Sequence, residues 1–329
     1  MCGFVGFVAD SEIQPEDYEA LIARMSDTIF LRGPDDYGSW LSPSNNLALG
    51  FRRLAIQDIS HAGHQPMRSL DERYTICFNG EIYNHLEIRK SLQSKFPKML
   101  WRGRSDTETI LCAIHVWGIV DTLKLISGMF AVSIWDEHTK TLTLARDRFG
   151  EKPLYYGWCG QSFIFGSQLK AFQVFPSFQN SISKTALAKY LRFNYVPAPL
   201  SIYEDIFKLE PGCYVQITKK NLLDRDLRIN QYWSLKETIE HSKKNMIFDE
   251  DEIIDRLKSQ LKKTISNQMI SDVPLGAFLS GGIDSSLIVS IMQEQSLHPI
   301  KTFTIGFEDH TYDESKHAKK VAEHLGTDH

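Results

Sequence analysis

Between residues 47 and 170 the chain is written in short apolar runs broken by turn residues, and this limits its possible folds more than any other feature. The runs are LALGFRRLAI, YTICFNG, FAVSIWD, TLTLARD, PLYYGW and SFIFGS. They are rich in β-branched and aromatic residues and bounded by Gly, Asp and Asn, so each reads as a strand. One helix is expected among them at 106–117. Another is expected at 16–30, where Leu21, Ile22, Met25 and Ile29 follow Pro15 at helical spacing. Many short strands with few helices predict stacked antiparallel sheets.

Beyond residue 250 the pattern changes. Ile254, Leu257, Leu261 and Ile265 recur on one helical face, and VPLGAFL, SSLIVSIMQEQ, IKTFTIGF and SKHAKKVAEHLG then alternate strand with helix. Such alternation calls for a parallel sheet of the doubly wound type. Residues 194–213 hold three of the twelve prolines without periodicity, and 219–250 are polar. The expected division is therefore a first domain at 2–195, a connecting segment at 196–249 and a second domain at 250–329. Two strands cannot make a stable covered sheet, so the second domain is expected to be incomplete.

A net charge of −4, with Lys and Arg scattered rather than bunched, points away from nucleic acid. No apolar run reaches the roughly 18 residues of a membrane span, and a cytoplasmic protein is expected. The five cysteines form no C-x-x-C pair and are irregularly spaced, which argues against zinc or a disulfide framework. Cys77, Cys112, Cys159 and Cys213 lie in apolar or aromatic surroundings and read as inert thiols. Cys2 stands apart because of its position.

FLSGGIDSSLIV joins the end of an expected strand to the start of a helix. Unpaired N–H groups and the positive end of the helix dipole suit an anion there. Gly281 and Gly282 would let the backbone close on a phosphate, with Ser280, Ser285 and Ser286 as hydroxyl donors. Asp284 would repel phosphate unless a cation such as Mg²⁺ lay between them. Read alone, the stretch also fits a plain glycine turn with Ser285 as helix N-cap. No Walker loop or dinucleotide fingerprint is present.

Removal of Met1 would leave Cys2 at the N-terminus. Its α-amino group, titrating near pH 8, could then serve as general base for its own thiol. MCGFVGF, RGPDDYG, RRLAIQD, CFNGEIYNH and SDTETIL resemble, in the same order, the glutaminase domain of class II (N-terminal nucleophile) glutamine amidotransferases. The resemblance implies that Arg53 pairs with the glutamine α-carboxylate and Asp106 with its α-ammonium. Asn79 and the N–H of Gly80 would form the oxyanion hole, Glu81 would line the pocket, and Leu54, Ala55, Ile56 and Gln57 would complete the binding strip. Taken singly, Arg53 also fits a surface ion pair and Asp106 a helix N-cap.

S-G-G-I-D-S-S resembles the pyrophosphate loop of the ATP-pyrophosphatase superfamily. Together with GMFAVSIWD, ARDRFGEKPLYY, FGSQLKA and EPGCY, it makes the whole chain similar to the glutamine-hydrolysing asparagine synthetase family. The fold so implied is an α+β, four-layer αββα glutaminase domain followed by the start of an α/β parallel-sheet synthetase domain. Ser280, Gly281, Gly282, Ile283, Asp284, Ser285 and Ser286 would hold pyrophosphate with Mg²⁺, and the backbones of Leu279 and Ile305 would meet the adenine. The activity implied is ATP-dependent carbon–nitrogen ligation, in which ammonia released from glutamine attacks an aspartyl-adenylate. Amidation of a carboxylated sugar or peptide, or glutaminase activity alone, are the competing readings. The implied partners are glutamine, ATP and aspartate or another carboxylate acceptor, within a homodimer and with neither nucleic acid nor membrane. The family's later S-G-E-G-x-D-E loop is missing from this sequence.

Overall fold

The computed structural model describes residues 2–9, 13–42, 46–309 and 313–329, in two compact units, Met1–Ile239 and Glu240–His329. The first unit opens with β1 (Gly3–Val8), α1 (Tyr18–Asp27), β2 (Asp36–Leu41), β3 (Leu47–Arg53), β4 (Met67–Arg68) and β5 (Tyr74–Ile82). Three helices follow, α2 (His85–Lys95), α3 (Asp106–Trp117) and α4 (Ile119–Leu125). Then come β6 (Gly128–Asp136), β7 (Thr141–Arg146), β8 (Tyr155–Cys159), β9 (Ser162–Gly166) and α5 (Lys184–Phe193). The unit ends with β10 (Ile206–Lys208), β11 (Cys213–Ile217), α6 (Lys219–Asp224) and β12 (Ile229–Gln231), and α7 (Leu235–Ser242) crosses the division.

These strands form two antiparallel six-stranded sheets, ordered β10-β8-β9-β1-β3-β2 and β12-β11-β7-β6-β5-β4. Alternation along each strand explains the layering. In β1, Val5 and Phe7 face α1 and pack on Leu21, Ile22 and Met25. Phe4 faces the other way and meets Cys77, Ala131 and Leu144 of the second sheet. That sheet turns Ile76, Phe78, Val132 and Ile134 outward onto Ile88, Leu92, Ile110 and Ile114 of α2 and α3. The result is helix, sheet, sheet, helix, the four-layer αββα arrangement expected. Helices cover both outer faces, so the central strands are apolar on both sides and read as continuous runs.

The segment expected to be a plain connection, 196–249, contributes β10, β11 and β12, and so one edge strand of each sheet. β10 pairs Ile206 with Gly157, β11 pairs Val215 with Leu144, and β12 pairs Cys213 with Gln231 across β11. β10 and β12, three residues each, lie among prolines and charges and carry no readable alternation.

In the second unit α8 (Glu250–Gln268), β13 (Gly276–Phe278), α9 (Ile283–Gln295), β14 (Lys301–Phe303) and α10 (Ser315–Leu325) follow the expected order. β13 and β14 are parallel, Ala277 opposite Thr302. Ile265 of α8 packs on Ile291 and Met292 of α9, while Val289 of α9 meets Ala318 and Ala322 of α10. Among the described residues no helix is long and apolar enough to cross a membrane.

Phe165 of β9 is fully buried and lies 6.4 Å from the Phe4 ring and 6.2 Å from that of Phe163. Its own ring fills the space that a Cβ on Gly6 would take. Phe165→Ala is expected to cost about 3–5 kcal/mol, read as a lower urea midpoint for unfolding of the first unit.

Candidate active site

Pairing of β1 with β3 places Gly3 opposite Arg52, so the residue before β1 lies beside the end of β3. Cys2 Sγ is accordingly 3.4 Å from both the N–H and the carbonyl oxygen of Leu54. The C=O of Cys2 accepts from Arg32 Nε at 2.8 Å. Burial pushes the thiol pKa up, opposed by the Leu54 backbone hydrogen bond. Met1 lies outside the described residues, so its removal is untouched by the geometry.

One cavity is bordered by Cys2, Arg53, Leu54, Ile56, Gln57, Asn79, Gly80, Glu81 and Asp106. Every first-domain residue singled out from sequence is therefore gathered there except Ala55. The Ala55 N–H donates to Asp35 Oδ2 at 2.9 Å, away from that lining.

Arg53 is no surface ion pair, being 6% exposed. Its guanidinium donates to the carbonyl oxygens of Ser60 at 3.0 Å, Gln57 at 3.4 Å and Asp58. Asp58 adopts a left-handed backbone, φ 53°. Its carboxylate accepts from the N–H groups of Ser60 and Arg104, and these bonds hold it below the ordinary carboxylate range despite desolvation. Asp58 so ties the loop after β3 to the loop before α3.

Asp106 is not the N-cap of α3. Ser105 takes that place, its hydroxyl accepting from Glu108 N–H at 3.2 Å. The freed Asp106 carboxylate instead accepts from Ile82 N–H at 2.9 Å and Thr107 N–H at 2.7 Å. Burial pushes its pKa up to about 7 in spite of these bonds. Burial likewise raises Glu81, with Lys152 opposing.

Asn79 is 1% exposed, and its side-chain Nδ2 has no hydrogen-bond partner among the described residues. A buried amide donor left unmade costs about 1–3 kcal/mol, and this one borders the cavity that holds Cys2. Two cations, one bonded to Cys2 and one on the cavity wall, escaped sequence reasoning. Arg32, in RGPD, braces Cys2, and Lys152, in GEKPLYY, lines the cavity at 5% exposure.

In the second unit Gly282, rather than Ser285, is the N-cap of α9. Ser285 Oγ lies 2.9 Å from Ser280 Oγ and donates to Gly282 C=O at 3.2 Å. Gly281 has φ +81°, and a Cβ there would press on His317 and Ala318. Ser286 Oγ is buried without a partner among the described residues. The N–H groups of Ile283, Asp284 and Ser285 fall in the first turn, where helices leave donors open. Leu279 uses both backbone groups, its N–H to Phe303 and its C=O from Thr304 Oγ1, while Ile305 is exposed. Among the described residues no cluster of three or more His, Cys, Asp or Glu could hold a metal by itself.

Residues 1–233 match the family model described as the glutamine amidotransferase domain, and residues 256–329 match that of asparagine synthase. Asparagine synthetase [glutamine-hydrolyzing] 1 of Bacillus subtilis is 38% identical over 99% of this chain and 49% of its own length. Asparagine synthetase [glutamine-hydrolyzing] 3 of the same organism is 32% identical over 100% of this chain and 53% of its own. The chain thus spans about half the length of these relatives. Among solved structures, glutamine phosphoribosylpyrophosphate amidotransferase from B. subtilis, complexed with ADP and GMP, superposes with a TM-score of 0.51. It is 17% identical and covers 70% of this chain and 49% of its own, a likeness of fold.

Gly63 presses against this grip. A Cβ there would overlap the Arg53 guanidinium and crowd the Asp58 carbonyl. Gly63→Ala is expected to displace Arg53 from its carbonyl acceptors and to destabilise the first unit by about 1–3 kcal/mol, checked by denaturant unfolding.

Proposed function

We propose, from the premise that this chain belongs to the glutamine amidotransferase domain family, that it hydrolyses glutamine at Cys2 and serves glutamine-dependent asparagine synthesis. The observation that carries this reading is the buried, unpartnered Asn79 Nδ2 on the cavity shared with Cys2.

In this scheme glutamine lies with its α-carboxylate toward Arg53 and its α-ammonium toward Asp106. Once Met1 is gone, the α-amino group of Cys2 takes the thiol proton, and Sγ adds to the side-chain amide carbon. Asn79 Nδ2 and the Gly80 N–H stabilise the oxyanion. Collapse breaks the C–N bond, ammonia leaves with the transferred proton, and a Cys2 thioester remains. Water then cleaves the thioester to glutamate and regenerates the thiol. Glu81 lines the pocket beside the thiol.

The loop from Ser280 to Ser286 would hold the pyrophosphate of ATP. Open first-turn N–H groups, the buried Ser286 hydroxyl and the tight Gly281 turn support that role. Asp284 would supply one ligand to Mg²⁺, with phosphate oxygens and water supplying the rest. The backbones of Leu279 and Ile305 would meet the adenine, Ile305 being exposed and Leu279 buried. ATP supplies the activation, converting the acceptor carboxylate to an acyl-adenylate that ammonia attacks. Aspartate is the proposed acceptor, and the cytoplasm and a homodimer the proposed setting.

Two experiments test these assignments. Cys2→Ala should abolish glutamate release from glutamine while leaving the unfolding midpoint near its original value; persistent release would remove Cys2 as nucleophile. The full-length gene product should form asparagine from aspartate only with glutamine and ATP present. Activity on a sugar or peptide acid instead would replace the acceptor.

Asp106 adds a pH signature. In the unbound fold it keeps its proton up to about pH 7, while an unfolded Asp loses it near 3.9. Across that window the unfolded state binds fewer protons, so stability falls as pH rises. An α-ammonium beside Asp106 favours the carboxylate. Glutamine binding is therefore expected to release a proton below about pH 7 and to tighten as pH rises through that value. Calorimetry in buffers of different ionisation enthalpy reads the released proton; binding without proton release would remove Asp106 as the ammonium partner.

A further inference from the structure

The loop between β7 and β8 is held far more tightly than a turn requires. Asp147 is fully buried, and its carboxylate accepts from the N–H groups of Phe130 at 3.2 Å, Phe149 at 3.0 Å, Glu151 at 2.9 Å and Lys152 at 3.0 Å. From the other side Arg146 donates to the carbonyl oxygens of Lys152 at 2.7 Å, Leu209 at 2.7 Å and Gly150. Both backbone polar groups of Lys152 are thus pinned, the N–H by an aspartate and the C=O by an arginine. Gly150 makes the turn possible with φ +68°.

What this clamp delivers is a lysine side chain only 5% exposed, on the wall of the cavity that also holds Cys2, Asn79, Gly80 and Glu81. Lysine is rarely buried without a partner, because taking an ammonium out of water is costly. The charged groups around it explain the placement. Burial pulls Lys152 down, while Glu81, Cys2 and Glu151 favour its protonated form and Arg32 opposes it. At Cys2 itself, Arg53 favours the thiolate and Asp106 disfavours it.

We propose that Lys152 is a further positioning residue of the hydrolysis site, whose ammonium keeps the Glu81 carboxylate ionised in the pocket and offsets the cost of a thiolate at Cys2. The inference rests on the reading of Cys2 as nucleophile. Lys152 acts through Glu81 and through its field. In a water-poor cavity one positive charge near a developing negative one shifts an acid by about 1–3 pH units.

Alkylation of the protein by iodoacetamide across about pH 6 to 9.5, with the labelled peptide located by mass, tests this for the unaltered protein, Lys152→Met and Lys152→Arg. The unaltered protein should be labelled at Cys2. Lys152→Met should raise the pH midpoint of that labelling by about 1 unit or more and slow glutamate release about tenfold or more. Lys152→Arg should return both most of the way, because the charge is restored. Should Lys152→Met fail to fold, Lys152→Gln takes its place with the same expectation. An unmoved midpoint in the neutral variant overturns the role of Lys152 while leaving Cys2 as nucleophile. An unaltered protein that is not labelled at Cys2 overturns the nucleophile reading, and the inference with it.

Discussion

Antiparallel pairing sets the start of one strand beside the end of its neighbour, and the register of Gly3 on Arg52 does this for β1 and β3. β1 is an interior strand, paired with β9 on its other side, so a slip by one residue would turn Val5 and Phe7 away from the helices they pack on. The position of Cys2 is therefore set by the packing of Val5 and Phe7 several residues away as well as by its own contacts. The 3.4 Å hydrogen bonds of its sulfur to the Leu54 N–H and carbonyl oxygen are of ordinary length for the large sulfur atom. They follow from the register. Arg53, last residue of β3, is brought to the cavity by the same pairing, so Cys2 and Arg53 owe their places to one structural cause.

The cavity's charges were settled by burial as much as by pairing. Two carboxyl groups, Glu81 and Asp106, are both raised because water is excluded. The cations stand at different points. Arg53 is bound to its own loop through three carbonyl oxygens, and Arg32 to the backbone of Cys2. Those carbonyls meet part of each guanidinium's demand for acceptors, which lowers the cost of holding Arg53 buried. Asp58 organises one of these arrangements from beneath. Its main-chain oxygen accepts from Arg53 and its carboxylate from the Arg104 N–H, so the loops presenting Arg53 and Asp106 are tied together.

Much of this could be read before any coordinates. The turn-broken strands gave stacked antiparallel sheets, and α3 falls at Asp106–Trp117 as the spacing indicated. The motifs brought Cys2, Arg53, Asn79, Gly80 and Asp106 to one cavity. What escaped depended on tertiary context. β10 and β12 are three residues long and acquire strand geometry only by lying against β8 and β11. Lys152 looks like any surface lysine until Asp147 and Arg146 are seen to clamp its backbone. Local chemistry misled in two places. Asp106 and Ser285 both suit an N-cap by type, yet Ser105 and Gly282 hold those positions. Capping preference ranks residue types and does not choose between neighbours.

The two candidate sites also differ in how they treat their polar groups. In the second unit Ser286 Oγ is left without a partner among the described residues, while Ser280 and Ser285 bond to each other and to Gly282 and so brace the loop. It is held by one left-handed glycine and a pair of hydroxyls. In the first unit Asn79 sits in mid-strand with its backbone in the β5–β6 ladder, and its side-chain donor is left open inside the fold. An apolar residue of similar size would relieve that cost, and packing alone gives no reason for an amide there. An unsatisfied buried donor is tolerable only where the surrounding sheet is rigid enough to hold it. Long pairing of β5 with β6, over nine residues from Tyr74 to Ile82, supplies that rigidity. In the proposed reaction such a donor would meet a developing negative oxygen without reorganising first, which is the condition under which a hydrogen bond lowers a barrier rather than merely tightening the ground state.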